Sequence, residues 1–565
     1  MADDDSIFPG VRAFSKERFG YGVMSDGTLY LRKGDDKAEG GSKSQWVADG
    51  FARISEEIRR ENGDAIFIIE GRGAKDGYTF RFEMSAIDFA DARNLKGKLT
   101  AQLGALNRVG GLTSDVIQQI SLDVKKFQLV ETPRWIDGLA AVPGLDLIPN
   151  LRYASNPRVP VKVGGGNLVD AQQCLKDLLC SWVWTKTTII LAAVLGSPIF
   201  ARWYPGDRFG LALRAITGSG KTEFVKHIMA IYGAGYLNED ILMRWGEGAT
   251  TNALMKTAAT SGFLPFFMDN YKPLKKDDPA KLIGFIQAVL EGSDKARLTS
   301  DSEFKDTLKF ACTLLITGED FPEESSTMAR CLAIDWSPII DSNRLTRAQS
   351  AAKNLPALGK EWLTWLSKNQ TTIEDILKDF ESIRSETYKE LLAMSEGINV
   401  GRLSTTFTLL RMVWKIALEC PALSTILQEF NEHFEKGIND LMAKAPADVG
   451  TANEAENFVS TLIELMGTGR AKIVEDGEHT DLKDVVGWRR GDGEVCIFPK
   501  IARKLIDAVA PPSQKVSAAT LYKQLDQRGY IKSERKADGA VEHTLSRKFN
   551  GKANRVLVFT RGVTT

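Results

Sequence analysis

The chain has 565 residues, room for about three or four domains of ordinary size, and its 43% hydrophobic and 26% charged content is that of a globular protein able to bury sizeable cores. Basic and acidic residues balance at 73 each, so any nucleic-acid binding has to come from local patches and not from an overall basic chain. Six cysteines with no Cys-x-x-Cys pair, four scattered histidines and an acidic start, Met-Ala-Asp-Asp-Asp-Ser, exclude a zinc-site spacing and a basic signal peptide, so a reduced, cytoplasmic protein is expected.

Residues 1–165 read as an α/β module. Residues 21–23 and 29–31 flank Ser-Asp-Gly, a hairpin signal, and further strands are expected at 51–58, 65–70 and 78–84. Helical patterns cover 86–106 and 114–126, and Gly164-Gly-Gly166 marks a boundary. No catalytic constellation is visible there, which suggests a scaffold or oligomerisation domain. The apolar run 187–200 is shorter than the ~20 residues that cross a bilayer. It reads as a buried helix interrupted at Gly196-Ser-Pro198, and no membrane partner is expected.

The alternating run Phe209, Leu211, Leu213 leads into Ala215-Ile-Thr-Gly-Ser-Gly-Lys-Thr222 and then a helical stretch to Tyr232. Strand, glycine loop and helix are the context of a phosphate-binding loop, although Ala215 stands where the usual pattern begins with Gly. Gly218 and Gly220 lack Cβ, so backbone N–H groups can turn toward phosphates at a helix N-terminus. Thr217, Gly218, Ser219, Gly220, Lys221, Thr222 and Glu223 form the candidate ATP-binding set, with Lys221 reaching the terminal phosphates and Thr222 holding Mg²⁺.

An apolar strand at 263–269 ends in Asp269, placed to support the metal. Many ATPases of this kind carry Glu next, and here it is Asn270, whose amide cannot take a proton. Glu223, Glu247 and Glu319 are the alternatives for a base, and the sequence does not order them. Residues 296–310 read as a hairpin dotted with Lys295, Arg297, Lys305 and Lys309. A strand at 311–316 ends at Thr317, placed to sense the γ-phosphate, and Arg330 precedes another strand as a candidate arginine finger.

This order of elements resembles the superfamily 3 helicases of DNA viruses and plasmids, within the AAA+ class. More closely, the chain looks like helicase-like ATPases of phages, plasmids and genomic islands that carry a domain long filed as of unknown function. The resemblance covers about residues 45–340. It rests on 210–233, on Trp245-Gly-Glu-Gly-Ala-Thr-Thr-Asn-Ala-Leu254 leading to Met268-Asp-Asn270, and on Leu314-Leu-Ile-Thr-Gly-Glu319. Residues 46–84 and Pro133-Arg-Trp-Ile-Asp-Gly138 also look similar. The resemblance implies a hexameric ring with DNA in its channel, touched by the hairpin through Lys295, Arg297 and Lys305. In that family the residue after the Asp is commonly Glu, so Asn270 is a departure that bears on turnover.

Residues 341–445 read as a helical lid and 445–453 as a linker. Residues 456–565 read as a winged helix: helices at 457–467, 499–508 and 517–528, a strand at 494–498 between the first two, then strands at 530–533, 543–546 and 556–560. Between 515 and 561 there are eleven basic residues against four acidic ones, so a DNA face is expected there, with Lys523, Arg547 and Lys548 among its contacts. The expected architecture is therefore α/β, with a P-loop ATPase core of the AAA+ type at 167–340 between the N-terminal module and the lid. The expected activity is ATP-dependent, Mg²⁺-assisted unwinding of or translocation on single-stranded or forked DNA during replication of a mobile element, with other replication proteins as partners. A nucleotide-gated DNA-binding or assembly factor with little hydrolysis is the second reading.

Overall fold

The computed structural model describes residues 8–13, 20–32, 44–104, 106–204, 206, 208–246, 249–273, 275, 277–293, 307–319, 321, 325–394, 400–451, 454–478, 485–509, 518–535 and 541–560. The chain forms two compact units, Met1–Thr132 with Asp146–Ser155, and Pro133–Leu145 with Asn156–Thr565. Gly164-Gly-Gly166 thus lies inside the second unit.

In the first unit β1 (Gly20–Val23), β2 (Leu29–Arg32) and β3 (Ser44–Ala48) make an antiparallel sheet. A second sheet is built on the meander β4 (Gly50–Arg59), β5 (Ala65–Gly73) and β6 (Thr79–Ser85). Period-2 patterning sets its faces: Phe80 and Met84 of β6 are buried while Arg81 between them is exposed. The helical pattern at 86–106 divides in two, because the Asp91 side chain accepts the N–H groups of Arg93 at 2.8 Å and Asn94 at 3.0 Å. That cap ends α1 (Ala86–Ala90) and starts α2 (Ala92–Leu103). The expected helix at 114–126 is also corrected: α3 (Ser114–Ile120) stops early, and β7 (Lys125–Val130) pairs parallel with β4. An available strand edge outweighs helical periodicity there. On the sheet's polar face Arg81 and Arg152 reach Glu56 at 2.9 and 2.8 Å, and Arg53 pairs with Glu70, so these three arginines are paired within the module.

The second unit opens with the hairpin β8 (Arg134–Ile136) and β9 (Leu139–Ala141), followed by β10 (Leu151–Tyr153), which returns to the first unit as a neighbour of β7. Then come α4 (Leu168–Cys180) and α5 (Trp184–Trp203). The centre is a wholly parallel sheet of order β12-β13-β14-β11-β15, comprising β11 (Gly210–Arg214), β12 (Met243–Arg244), β13 (Phe266–Tyr271), β14 (Leu314–Gly318) and β15 (Cys331–Asp335). Helices α6 (Lys221–Met229), α7 (Thr251–Thr260) and α8 (Asp278–Glu291) alternate with the strands. Strands covered on both faces read as continuous apolar runs, which is what Leu211-Ala-Leu213 and Leu314-Leu-Ile316 are. Because every strand points the same way, the loops after β11, β13 and β14 open on one edge.

Helix α5 is long and apolar enough to cross a membrane by length and composition, yet 78% of its most apolar window is buried inside the fold, where it packs on α14 and α15. Those two are α14 (Gly401–Leu418) and α15 (Pro421–Thr451). The expected interruption at Gly196-Ser-Pro198 does not occur: Pro198 sits within a continuous helix. Proline has no N–H for the Val194 carbonyl, and the Tyr232 hydroxyl donates to that oxygen at 2.9 Å instead. Tyr232→Phe should therefore leave a buried acceptor unmet and destabilise the unit by about 1–3 kcal/mol, read as a lower denaturant midpoint.

Beyond β15 and the short α9 (Ser325–Met328), the helical region holds α10 (Ser342–Ala351), α11 (Pro356–Lys368), α12 (Gln370–Leu377) and α13 (Phe380–Met394) before α14. The expected linker at 445–453 is corrected, since α15 continues through Pro446 to Thr451. The alanines at 443, 445 and 447 carry high helix propensity into that stretch.

The C-terminal part holds α16 (Glu454–Gly467), α17 (Pro499–Val509) and α18 (Ala518–Gln527) against a mixed sheet of order β16-β17-β18-β22-β21. Its strands are β16 (Lys472–Glu475), β17 (Val485–Arg489), β18 (Val495–Ile497), β21 (Leu545–Phe549) and β22 (Lys552–Phe559), with β19 (Glu534–Arg535) and β20 (Val541–Glu542) paired outside it. The strand expected at 530–533 is reduced to one bridge, Ile531 to Phe559. The β21–β22 hairpin turns on Asn550 (φ 47°) and Gly551 (φ 77°), the left-handed pair that a two-residue hairpin needs. Strand β18 lies where a strand was expected at 494–498, whereas β16 and β17 beside it were not foreseen. Residue 517, where the last of these helices was expected to start, lies outside the described residues.

Candidate nucleotide-binding site

The loop between β11 and α6 is anchored at its start, where Ala215 N–H donates to the Gly318 carbonyl of β14 at 3.2 Å. Gly218 and Gly220 take φ of 85° and 79°, a conformation L side chains rarely adopt. Gly220 is doubly constrained, since a Cβ there would come within 2.8 Å of the Trp182 ring. Trp182 supports the loop from below: its Nε1 donates to the Ser219 carbonyl at 3.2 Å, and its ring packs on Phe224 and Trp336. The Lys221 ammonium curls into the loop and donates to the carbonyls of Ala215 at 2.6 Å and Ile216 at 2.9 Å. Burial pushes its pKa below the usual lysine value, against the opposing pull of Glu319 and then Asp269.

Asp269 is buried, and its Oδ1 accepts two hydroxyls, Thr222 at 2.6 Å and Thr317 at 2.6 Å. Arg244 Nε stands 3.6 Å from Oδ2. The structure thus brings together Lys221, Thr222, Asp269 and Thr317 from two adjacent strands, β13 and β14, and the N-terminus of α6. A hydroxyl and a carboxylate side by side are hard oxygen ligands of the type Mg²⁺ takes, and left-handed glycines with open space at Gly218 suit a phosphate, so these residues fit ATP and Mg²⁺. Among the described residues there is no cluster of three or more His, Cys, Asp or Glu that could hold a metal.

Asn270 is exposed, and its backbone explains its identity. It has φ 54°, inside a one-residue irregularity of the β13–β14 pairing between Met268 and Tyr271, and its N–H donates to Thr317 Oγ1 at 3.1 Å. Asparagine tolerates the left-handed region, which costs other L residues about 1–2 kcal/mol. Asn270→Gly should therefore be more stable than Asn270→Val by about that amount in parallel denaturation curves.

The candidate bases separate spatially. Glu223 is occupied by Gln349 Nε2 at 2.6 Å and Lys226 at 3.0 Å. Burial opposes its charge, but those two bonds more than offset this and hold its pKa below the ordinary range. Glu247 lies outside the described residues. Glu319, just past β14, accepts the Thr217 N–H at 3.1 Å and the Thr217 hydroxyl, and these bonds lower its pKa.

Arg330 lies elsewhere. Its carbonyl accepts from Gly210 N, at the start of β11, so it marks the sheet end opposite the loop, and its guanidinium meets Glu291 at 2.7 Å. Lys295, Arg297 and Lys305 fall outside the described residues, although Ser293 and Lys309 on either side of that segment bridge antiparallel. In the C-terminal part Lys523 and Lys548 are exposed. Arg547 is engaged by Glu494 at 3.1 Å, where Lys532 and Arg490 also converge and hold that carboxyl at about 2. Trp182, Arg244 and Gln349 were missed by the sequence reading. Arg244 at the end of the second strand was findable, whereas nothing in the sequence marks Trp182 as the floor of the loop.

A scan of protein-family models and a search of curated proteins found no match. Among solved structures, five chains match. One, titled "SCCmec type IV Cch - active helicase", is 12% identical, aligns over 98% of this chain and 98% of its own length, and gives a TM-score of 0.64. The two proteins share a mixed α/β fold from end to end.

Proposed function

We propose that this protein is an ATP-dependent DNA helicase or translocase of the AAA+ type, working as a hexameric ring in the replication of a mobile genetic element. The observation that carries this reading is the convergence of Lys221, Thr222, Asp269 and Thr317 on one edge of a parallel sheet whose loop-bearing strand β11 is flanked by β14 and β15. The end-to-end likeness to a helicase fold supports it.

In this reading the amides of the 218–220 loop and Lys221 hold the phosphates of ATP, and Thr222 with Asp269 holds Mg²⁺, which neutralises charge developing on the transferred phosphoryl group. Thr317 keeps Asp269 oriented through its short hydrogen bond, so that it acts on the nucleotide through the metal-side carboxylate. Arg330, remote from its own loop, serves a neighbouring subunit after releasing Glu291. DNA contacts come from Lys295, Arg297 and Lys305 and from Lys523 and Lys548, sequence-blind ionic contacts of the kind that suit a motor.

The test is ATP turnover by the purified chain with and without single-stranded DNA, together with displacement of a labelled strand from a fork. DNA-stimulated turnover coupled to displacement is expected. A chain that binds no ATP overturns the reading, and turnover indifferent to DNA removes its helicase part.

A further inference from the structure

We infer that Glu319 is the catalytic carboxylate of ATP hydrolysis, the group that orients and deprotonates the attacking water where Asn270 cannot. This rests on the ATPase reading above and names the residue that reading leaves open.

Four observations converge. Glu319 follows β14 on the same sheet edge as the loop and Asp269, and its Oε1 is fixed by both the N–H and the hydroxyl of Thr217, the third residue of the loop. The Lys221 ammonium donates to the carbonyls of Ala215 and Ile216, the two residues before Thr217, so Glu319 and the lysine that would meet the terminal phosphates are anchored on one short stretch of loop. The carboxylate is partly exposed and open to water, whereas Asp269 is buried with one oxygen already accepting two hydroxyls. Finally, Glu223 is held by Gln349 and Lys226, and Asn270 sits at positive φ with its amide side chain in solvent.

The step balances without another reactant. The water oxygen forms a bond to the terminal phosphorus, the bond from that phosphorus to the bridging oxygen breaks, ADP leaves with the electron pair, and the water proton passes to the Glu319 carboxylate and then to solvent. Thr217 is the positioning residue, since its two donors fix one carboxylate oxygen and leave the other for the water.

The experiment uses the full-length chain, a fluorescent ATP analogue for affinity and phosphate release for turnover, comparing wild type, Glu319→Gln, Glu319→Asp and Asn270→Gly. Glu319→Gln keeps the shape and should bind the analogue within about threefold of wild type while hydrolysis falls by about 10²-fold or more. Glu319→Asp should recover part of the loss, and Asn270→Gly should hydrolyse at close to the native rate. Native-like turnover in Glu319→Gln overturns the assignment. So does a loss of affinity that accounts for the whole loss of rate, which would make Glu319 only a brace for the loop. A wild-type chain that binds ATP without turning it over sinks this inference and the hydrolytic reading together, whereas wild-type turnover retained by Glu319→Gln sinks this inference alone.

Discussion

Lys221→Ala should abolish ATP turnover and weaken ATP binding by about ten- to a hundredfold, while leaving the fold intact. A charge-assisted hydrogen bond contributes about 1.5–3 kcal/mol, which sets the loss of affinity. The larger loss is in rate, because charge grows on the phosphoryl oxygens as the bond breaks and a fixed ammonium acts most strongly there. Stability should fall by about 1–3 kcal/mol, since Lys221 is buried and its loss leaves the loop carbonyls of Ala215 and Ile216 and the Ser219 hydroxyl without their donor. Lys221→Arg should not rescue turnover, because a planar fork replaces a compact point charge in a loop built around the latter. Titration with a fluorescent analogue, phosphate release and a melting curve, measured together, check this. Undiminished binding in Lys221→Ala would remove the nucleotide from this loop.

The second large effect is on stability. Trp182→Ala should destabilise the second unit by about 3–5 kcal/mol, the range for deleting a buried tryptophan side chain. Trp182 is 1% exposed and packs edge-on against Phe224 of α6 and tilted against Trp336 after β15, so its loss opens a void between the loop helix and the sheet edge. The same truncation removes the donor to the Ser219 carbonyl and the surface against which Gly220 fits, so ATP affinity should fall with it. Trp182→Phe separates the two contributions: most packing stays, the N–H is lost, and the cost should be about 1 kcal/mol with near-native affinity. Thermal melting with and without ATP reads both quantities, and a Trp182→Ala melt close to native would show that the ring is not a structural floor.

The glycine loop at 215–222, its strand and its helix were legible because glycine, lysine and threonine at those spacings answer a local requirement, although α6 begins at Lys221, two residues before the expected start at Glu223, and ends at Met229 rather than Tyr232. Asp269 was legible for the same reason, at the end of an uninterrupted apolar strand. Thr317 was identified, but its direction was not. A polar residue ending a strand looks free to face a ligand, and only the packed sheet reveals that its hydroxyl is committed to Asp269. Asn270 was read as a chemical deficit, whereas its backbone angle is a property of a bulge that no periodicity announces. Three other expectations failed, the first two where tertiary context overrode local signals and the third where local helix propensity outweighed a proline. Residues 125–130 found a strand partner, Pro198 found a tyrosine to satisfy the freed carbonyl, and alanines carried α15 past Pro446. The C-terminal sheet was half seen, because β16 and β17 are short strands whose pairing depends on β18, beyond the reach of pattern reading.

The hydrogen bond from Tyr232 to the Val194 carbonyl has a consequence for how the chain matures. Helix α5 cannot satisfy its own backbone at Pro198; it borrows a donor 38 positions further on, and Trp362 Nε1, 167 positions on, donates to the adjacent Leu195 carbonyl. Both contacts close long loops, so they form late and only once the intervening segments have docked. During synthesis the most apolar helix of the protein therefore leaves the ribosome well before the residues that complete it. Until the 215–222 loop and Tyr232 have followed, that stretch is an exposed greasy segment of membrane-spanning length, a natural client for a chaperone that shields nascent chains.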